Sequence, residues 1–274
     1  VLVRAGLEGH WSENGSSAIV IDEPKNGGDW HEVTVKAEGA AVTATVDGKE
    51  VEVLGGGREK GYIGFAYNHN GENVVEVKDV VLRPIALASI FNGTDLTGWN
   101  VLEGHGSIFA VVDGAINIKT PKDANGQIET DKLYKDGILQ IDVYSAGQHQ
   151  NSGVFFRGPK GQFWRGYESQ VRNQWEGDDR TKPVDFGTGG NYGNQKTRRV
   201  VPNDSEWFTK TIVVDGNHAS VWVNGHLVSD FTDMRPVNKE GNGKAGYLPE
   251  AGTYHLQGHQ TPNAVSDISF KNIL

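Results

Sequence analysis

Alternation of β-branched and polar residues, interrupted by Asp-Gly and Asn-Gly pairs, is the feature that most restricts the fold of this 274-residue chain. It occurs in WHEVTVKAEGAAVTATVDGKEVEV (30–53) and again in WFTKTIVVDGNHASVWVNGHLVSDF (207–231). A period of two places apolar side chains on one face of a strand, and Asp-Gly or Asn-Gly supplies the positive φ angles of a type I′ turn. Helical periodicity is nearly absent. Hairpins without intervening helices predict an all-β sandwich.

The same two segments align without gaps and predict an internal repeat. Trp30 and Trp207 stand at equal distances before the turn glycines Gly48 and Gly225. Three further blocks match: Val3-Arg4 with Phe156-Arg157, Gly61-Tyr62-Ile63 with Gly246-Tyr247-Leu248, and Val77–Val80 with Phe270–Ile273. We predict two homologous domains, 1–86 and 87–274, of which the first is only the C-terminal part. It lacks a counterpart of 90–153, so we expect its missing strands from an upstream piece or another chain.

Composition limits the function classes. The formal net charge is −9, so the chain offers no basic footprint for nucleic acid. It has no cysteine, which excludes disulfides and thiolate chemistry. No run of about 18 apolar residues could form a membrane span.

Two strands in the second domain carry polar residues where a core strand needs none. Alternation in NSGVFFRG (151–158) and GYESQV (166–171) places Arg157, Glu168 and Gln170 on one shared face if the strands pair. Three aromatic residues in the flanking loops offer a platform for a sugar ring: Trp164, Trp175 and Tyr192. The competing interpretation is a solvated strand face with a weak surface ion pair.

A series of motifs gives residues 90–274 a specific family resemblance. In order they are FNGTDLTGW, NSGVFFRG, GYESQV, NYGN, SEWFTKTIVVDG, LQGH and ISFKNIL. This order resembles the 3-keto-disaccharide hydrolase family, and residues 1–86 resemble the later part of the same domain more weakly. The resemblance implies a concanavalin A-like jelly-roll sandwich. It also implies bacterial carbohydrate processing, in the periplasm or at the cell surface, on oligosaccharides or glycosides whose sugar is oxidised at C3.

The implied reaction breaks a glycosidic bond next to a ketone. The C3 carbonyl acidifies the hydrogen on C2, a base removes it, and the enolate expels the C1 substituent. Such chemistry needs a base of near-neutral pKa and a cation or metal at the enolate oxygen. The resemblance points to His259 as the first candidate for base or metal ligand, to Glu168 as the second, and to Arg157 at the oxyanion. Asn151, Gln170 and Gln257 would hold sugar hydroxyls. Whether a divalent metal ion takes part stays open.

Two departures from the family pattern favour a rival function. Asn173 and Gln260 stand where family members often carry aspartate. A copy without these carboxylates would serve as a non-catalytic carbohydrate-binding or structural module of a larger cell-surface protein. An ordinary retaining mechanism is not expected, since the paired pattern Glu-x-Asp-x-Glu is absent from the sequence.

Overall fold

The computed structural model describes residues 2–4, 18–19, 29–39, 41–54, 76–81, 83–261 and 264–274. Every regular element in these ranges is a β-strand, so the prediction of an all-β chain is confirmed. The chain divides into two compact units, residues 1–81 and 82–274. No helix long and apolar enough to cross a membrane occurs in the part of the chain just defined.

The described residues of the first unit form seven strands. They are β1 (Leu2–Arg4), β2 (Ala18–Ile19), β3 (His31–Glu38), β4 (Ala41–Val46), β5 (Lys49–Val51), β6 (Val53–Leu54) and β7 (Glu76–Lys78). Five of them form one antiparallel sheet in the order β5-β4-β3-β1-β7, and β2 pairs with β6.

The second unit contains the remaining strands. They are β8 (Trp99–Val101), β9 (Ile108–Val112), β10 (Ala115–Thr120), β11 (Asn125–Thr130), β12 (Gly137–Ser145), β13 (Ser152–Gly158), β14 (Tyr167–Val171), β15 (Trp175–Glu176), β16 (Asp179–Pro183), β17 (Trp207–Asp215), β18 (His218–Val223), β19 (His226–Thr232), β20 (Thr253–His259) and β21 (Ser266–Lys271). One sheet has seven strands in the order β19-β18-β17-β12-β21-β10-β9, and the other has five in the order β14-β13-β20-β11-β8.

The five-stranded sheet of the first unit shares its strand order and register with part of the seven-stranded sheet. Val33 pairs with Val46 in one sheet as Lys210 pairs with Val223 in the other. The lysine ammonium of Lys78 lies 3.9 Å from the Trp30 ring centroid, and that of Lys271 lies 4.0 Å from the Trp207 ring centroid. These matched contacts support the predicted repeat, whereas the incompleteness of the first domain stays a prediction.

One block of the predicted repeat is placed wrongly. Strand β1 lies between β3 and β7, as β12 lies between β17 and β21. Leu2–Arg4 therefore occupies the position of β12, and the match of Val3-Arg4 with Phe156-Arg157 on β13 is wrong. A dipeptide carries too little pattern to fix the register of a strand. The block Gly61-Tyr62-Ile63 lies outside the described residues.

The two large sheets of the second unit enclose an apolar core, as expected for a jelly-roll sandwich. Both sheets contribute core residues: Ile116, Ile118, Ile141, Phe208 and Phe270 from one, and Ile128, Val154, Phe156 and Leu256 from the other. Because side chains alternate along a strand, the neighbours of this second group point away from the core. They form a second, outward face of the five-stranded sheet, which carries the candidate site.

Candidate functional site

The outward face of the sheet β14-β13-β20-β11 is polar and nevertheless buried. Strand register sets its residues in transverse rows: Glu168, Phe155, His255 and Glu129; then Gln170, Gly153, Gln257 and Gln127; then His259 and Asn125. We call these residues the polar face. No polar side chain in its first two rows belongs to a residue more than 5% exposed. Buried polar groups need hydrogen-bond partners, so this face is either tied to covering loops or built for a ligand.

Glu168, on the edge strand β14, reaches over the next strand because Gly153 there has no side chain. A methyl group at Gly153 would lie 2.5 Å from Glu168 Oε1 and 2.8 Å from its Cγ, so the carboxyl extends across this glycine. Burial raises the pKa of Glu168 to about 7, and the negative charge of Asp185 adds to the rise while Lys244 opposes it. A carboxyl with this pKa exchanges protons readily at neutral pH, as a general acid or base must.

Lys244 places a cation beside this carboxyl. Its Nζ lies 3.9 Å from Glu168 Oε2 and 3.9 Å from the ring centroid of Tyr192. The backbone N–H of Tyr192 donates to the Glu168 carbonyl at 2.8 Å, which brings the predicted aromatic residue to the site. Arg235 donates to the Lys244 carbonyl at 2.8 Å and binds Asp233, so the loop that carries Lys244 is anchored.

A hydrogen bond fixes which ring nitrogen of His259 is the donor. Its Nδ1 lies 2.9 Å from the Gln260 carbonyl, which can only accept, so Nδ1 carries the proton. The lone pair of the neutral ring is then on Nε2. The ring lies nearly parallel to that of Trp164, at 12° and 6.1 Å between centroids. Trp164 is 40% exposed, and its backbone N–H donates to Gln127 Oε1 at 2.6 Å.

The register of β13 with β20 sets the spacing between the two candidate residues Glu168 and His259. Val154 pairs with Leu256, so Gly153 lies opposite Gln257, two residues before His259. Adjacent strands are about 4.8 Å apart and two residues span about 6.8 Å, which puts the Cα atoms of Gly153 and His259 roughly 8 Å apart. Since the Glu168 carboxyl lies over Gly153, this carboxyl and the His259 imidazole belong to neighbouring rows of the same face.

Four atoms of the polar face are buried without a hydrogen-bond partner. They are Asn125 Oδ1, Gln127 Nε2, Gln257 Oε1 and His255 Nδ1. Each such group costs about 1–3 kcal/mol, and the cross-strand pair Gln127 and Gln257 offers one donor and one acceptor to a hydroxyl-rich ligand. Burial lowers the pKa of His255 to about 4, so this imidazole is neutral at pH 7.

Gln170 and Asn151 hold the carboxylate of Asp185. Gln170 Nε2 and Asn151 Nδ2 each donate to Asp185 Oδ2 at 3.0 Å. The backbone at Asp185 and Phe186 has φ angles of 50° and 68°, a conformation that non-glycine residues rarely adopt and that recurs at functional sites. Asp185 and Lys244 were missed from the sequence because each lies in a long loop without a recognisable motif.

Arg157 does not converge with Glu168 and Gln170, so that expectation is wrong. The register between β13 and β20 shifts after Phe155, and Arg157 has a φ of 54°. Its guanidinium donates to the Leu248 carbonyl at 2.7 Å and to Asp136 Oδ1 at 2.6 Å. Simple alternation fails at this bulge, and Arg157 anchors loops instead of lining the site.

The remaining sequence candidates have structural contacts. The ring of Trp175 stacks under the Arg180 guanidinium at 4.1 Å, in the small β15-β16 hairpin. Asn173 accepts from Thr188 Oγ1 at 2.5 Å and is only 2% exposed. Gln260 accepts from the backbone N–H of Asp123 at 2.8 Å. Neither Asn173 nor Gln260 is one of the residues of the polar face. The absence of aspartate at these two positions therefore does not remove a carboxyl from that face, which carries Glu168.

The described residues contain no cluster of three or more His, Cys, Asp or Glu side chains placed to hold a metal ion. The polar face offers two carboxyls, two imidazoles and several amides, which suit proton transfer and hydroxyl binding.

Comparison with known families identifies the second unit. A family model described as 3-keto-alpha-glucoside-1,2-lyase-like domain matches residues 86–274, well over half of the chain. The chain belongs to this family. The resemblance found in the sequence is thus confirmed, and the lyase-like domain includes every residue of the polar face. A comparison with curated proteins gives no match.

Solved structures share the fold of the lyase-like domain. A candidate glycosyl hydrolase from Parabacteroides distasonis ATCC 8503 is 24% identical with a TM-score of 0.51, over 67% of this chain and 90% of that one. Another from the same organism is 24% identical with a TM-score of 0.49, over 78% and 97%. The carbohydrate-binding module CBM66 from Bacillus subtilis is 12% identical with a TM-score of 0.43, over 64% and 93%. The predicted concanavalin A-like jelly roll is confirmed.

Proposed function

We propose that the lyase-like domain cleaves glycosides whose sugar carries a ketone at C3, by elimination across C1 and C2. The observation that carries the proposal is the Glu168 carboxyl, which is buried, has a pKa of about 7 and lies over Gly153 beside a lysine ammonium. The family match supports the choice of substrate. A periplasmic or cell-surface location belongs to the same proposal.

Glu168 acts as the base in this mechanism. With the sugar ring between this carboxylate and the His259 imidazole, the carboxylate takes the proton from C2, whose acidity comes from the adjacent ketone. The electrons of the C2–H bond form an enolate with its charge on the C3 oxygen. Lys244, 3.9 Å from the carboxyl, stabilises that charge, the role first expected of Arg157.

His259 acts at the leaving oxygen. As the enolate collapses, the C1=C2 bond forms and the C1–O bond breaks, with its electron pair on the departing oxygen. The protonated form of His259 donates the proton from Nε2, and an alcohol or sugar leaves. The orientation needed for this step comes from the Gln260 carbonyl at Nδ1 and the parallel Trp164 ring. Water can add to the C1=C2 bond afterwards and complete a net hydrolysis.

Sugar hydroxyls satisfy the unpartnered amides. The free Nε2 of Gln127 donates and the free Oε1 of Gln257 accepts, so each gains a partner when a sugar binds. The partly exposed ring of Trp164 lies at the edge of the same face, next to His259. Binding therefore removes an unfavourable state of the free protein.

Product release from 3-keto-trehalose and 3-keto-glucosides tests the proposal, with and without added divalent ions. We expect Glu168→Gln to lower turnover by about 10²–10⁴-fold, the usual contribution of a general base. Glu176→Gln, at an exposed position on β15, is the matched control and should keep full activity. Equal turnover of both variants and the wild type would overturn the role of Glu168. If the wild type releases nothing but binds unoxidised glycans, the domain is a binding module.

A further inference from the structure

Lys210 is a lysine in the core of the sandwich. It lies on β17 between the core residues Phe208 and Ile212, and it is 0% exposed. Its Nζ crosses to the opposite sheet and donates to the carbonyls of Ser169 at 3.0 Å and Gln170 at 2.8 Å. Lysine is almost never fully buried without a reason, because removing its charge from water costs several kcal/mol or more.

The sheet itself does not require a lysine at this position. In the five-stranded sheet of the first unit, the residue in the same register is Val33, a buried apolar side chain. It pairs with Val46 as Lys210 pairs with Val223. The reason for Lys210 must therefore be sought in what it contacts.

Lys210 contacts the strand that carries the proposed base. Ser169 and Gln170 directly follow Glu168 on β14, and Lys210 reaches their carbonyls from the core side while the Glu168 carboxyl lies on the outer side. Other charged or titratable groups face this carboxyl from the elements around it: Lys244, Asp185 and Tyr192 from loops, and His255 from β20.

We propose that Lys210 is a positioning residue, which fixes β14 through two carbonyls and holds a positive charge behind Glu168 that favours the carboxylate. The effect of Lys210 on catalysis rests on the proposed function, whereas its effect on the pKa of Glu168 does not. Burial lowers the pKa of Lys210 to about 7, while the charge of Glu168 raises it, so the two groups titrate as a coupled pair. When the lysine charge is removed, the carboxyl should lose protons only at higher pH.

A ¹³C NMR titration of the Glu168 carboxyl, assigned with Glu168→Gln, measures this effect directly. Lys210→Met keeps the length of the side chain and should fold, since an apolar side chain of similar volume often replaces a buried charge without loss of stability. We expect its Glu168 midpoint to rise by about 0.5 unit or more, the size of shift that one nearby charge produces. Lys182→Met, on an exposed lysine, should leave the midpoint unchanged.

Lys210→Gln separates charge from hydrogen bonding. Its amide can still donate to the carbonyls but carries no charge, so the proposal predicts that both variants raise the midpoint. An unchanged midpoint in either folded variant would overturn the proposal, and Lys210→Gln alone decides if Lys210→Met does not fold. If 3-keto-glucosides are turned over, the acid limb of the pH profile should move with the midpoint. If the Glu168 midpoint moves but the wild type turns over no 3-keto-glucoside, the proposed function is wrong and the electrostatic role of Lys210 still holds.

Discussion

Adding one methyl group at Gly153 should displace the proposed base. The backbone accepts the change, because Gly153 is not among the residues with positive φ. The new Cβ would lie 2.5 Å from Glu168 Oε1, 2.8 Å from its Cγ and 3.1 Å from its Cδ, whereas ordinary contact begins at 3.4 Å. The carboxyl must therefore move by about 0.9 Å, inside a face where Glu168 is only 5% exposed.

Overpacking of this kind costs about 1–3 kcal/mol of stability. Every nearest atom that the methyl group meets belongs to the side chain of Glu168, beyond its Cβ. Glu168→Ala removes all of these atoms, so Gly153→Ala should cost little or nothing in that background. The coupling free energy between the two positions should equal most of the single-variant cost. Turnover of Gly153→Ala should fall by about 10²-fold, since a misplacement near 1 Å has that effect.

Urea unfolding of the wild type, both single variants and the double variant gives the coupling. The same loss from Gly153→Ala in both backgrounds would refute the reasoning, because the clash would then lie with something other than Glu168. A full-activity Gly153→Ala protein would show that the carboxyl is not where the reaction needs it.

Four further outcomes follow from the same contacts. The pKa of Glu168 is raised from 4.5 to about 7, so the folded state binds more protons than the unfolded state in this pH interval. The free energy of unfolding therefore falls as pH rises across the interval, and Glu168→Gln should flatten that fall when it is measured by urea unfolding. The pKa of His255 is lowered from 6.5 to about 4, so stability falls as pH drops across that interval, by about 3 kcal/mol at most, and His255→Gln should reduce the loss. Tyr167→Phe removes the 2.8 Å bond to Asp233 and should cost about 1–2 kcal/mol by thermal or urea unfolding. Lys244→Met should lower kcat by about 10²–10³-fold, as loss of an oxyanion donor does, with its urea midpoint nearly unchanged.

The hairpins could be predicted from the sequence because their signals are local. Asp47 and Asn224 both precede a glycine and both adopt a φ near 50°, at 49° and 48°. Their side-chain oxygens accept from the backbone N–H of Glu32 and Thr209, each at 2.9 Å. These turns set the register of β4 with β5 and of β18 with β19. The face on which Glu168 lies follows from the alternation of side chains along β14.

The rest of the site could not be predicted because it depends on bulges and on long loops. Arg157 follows a register shift that no residue pattern announces, so its side chain leaves the expected face. Lys244 and Asp185 reach the polar face from loops whose paths are set by distant anchors, such as Arg235 for the first. Lys210 lies where alternation predicts an apolar core residue, and its partners are on the opposite sheet.

A kinetic isotope effect tests the central claim most directly. The measurement compares glucose release from 3-keto-trehalose that carries hydrogen or deuterium at C2, with the intact chain and with Glu168→Gln. If Glu168 removes the C2 proton, the deuterated substrate reacts several-fold more slowly, and the variant loses release from both substrates. Release at equal rates from both substrates in the wild type, or undiminished release by Glu168→Gln, would contradict the account.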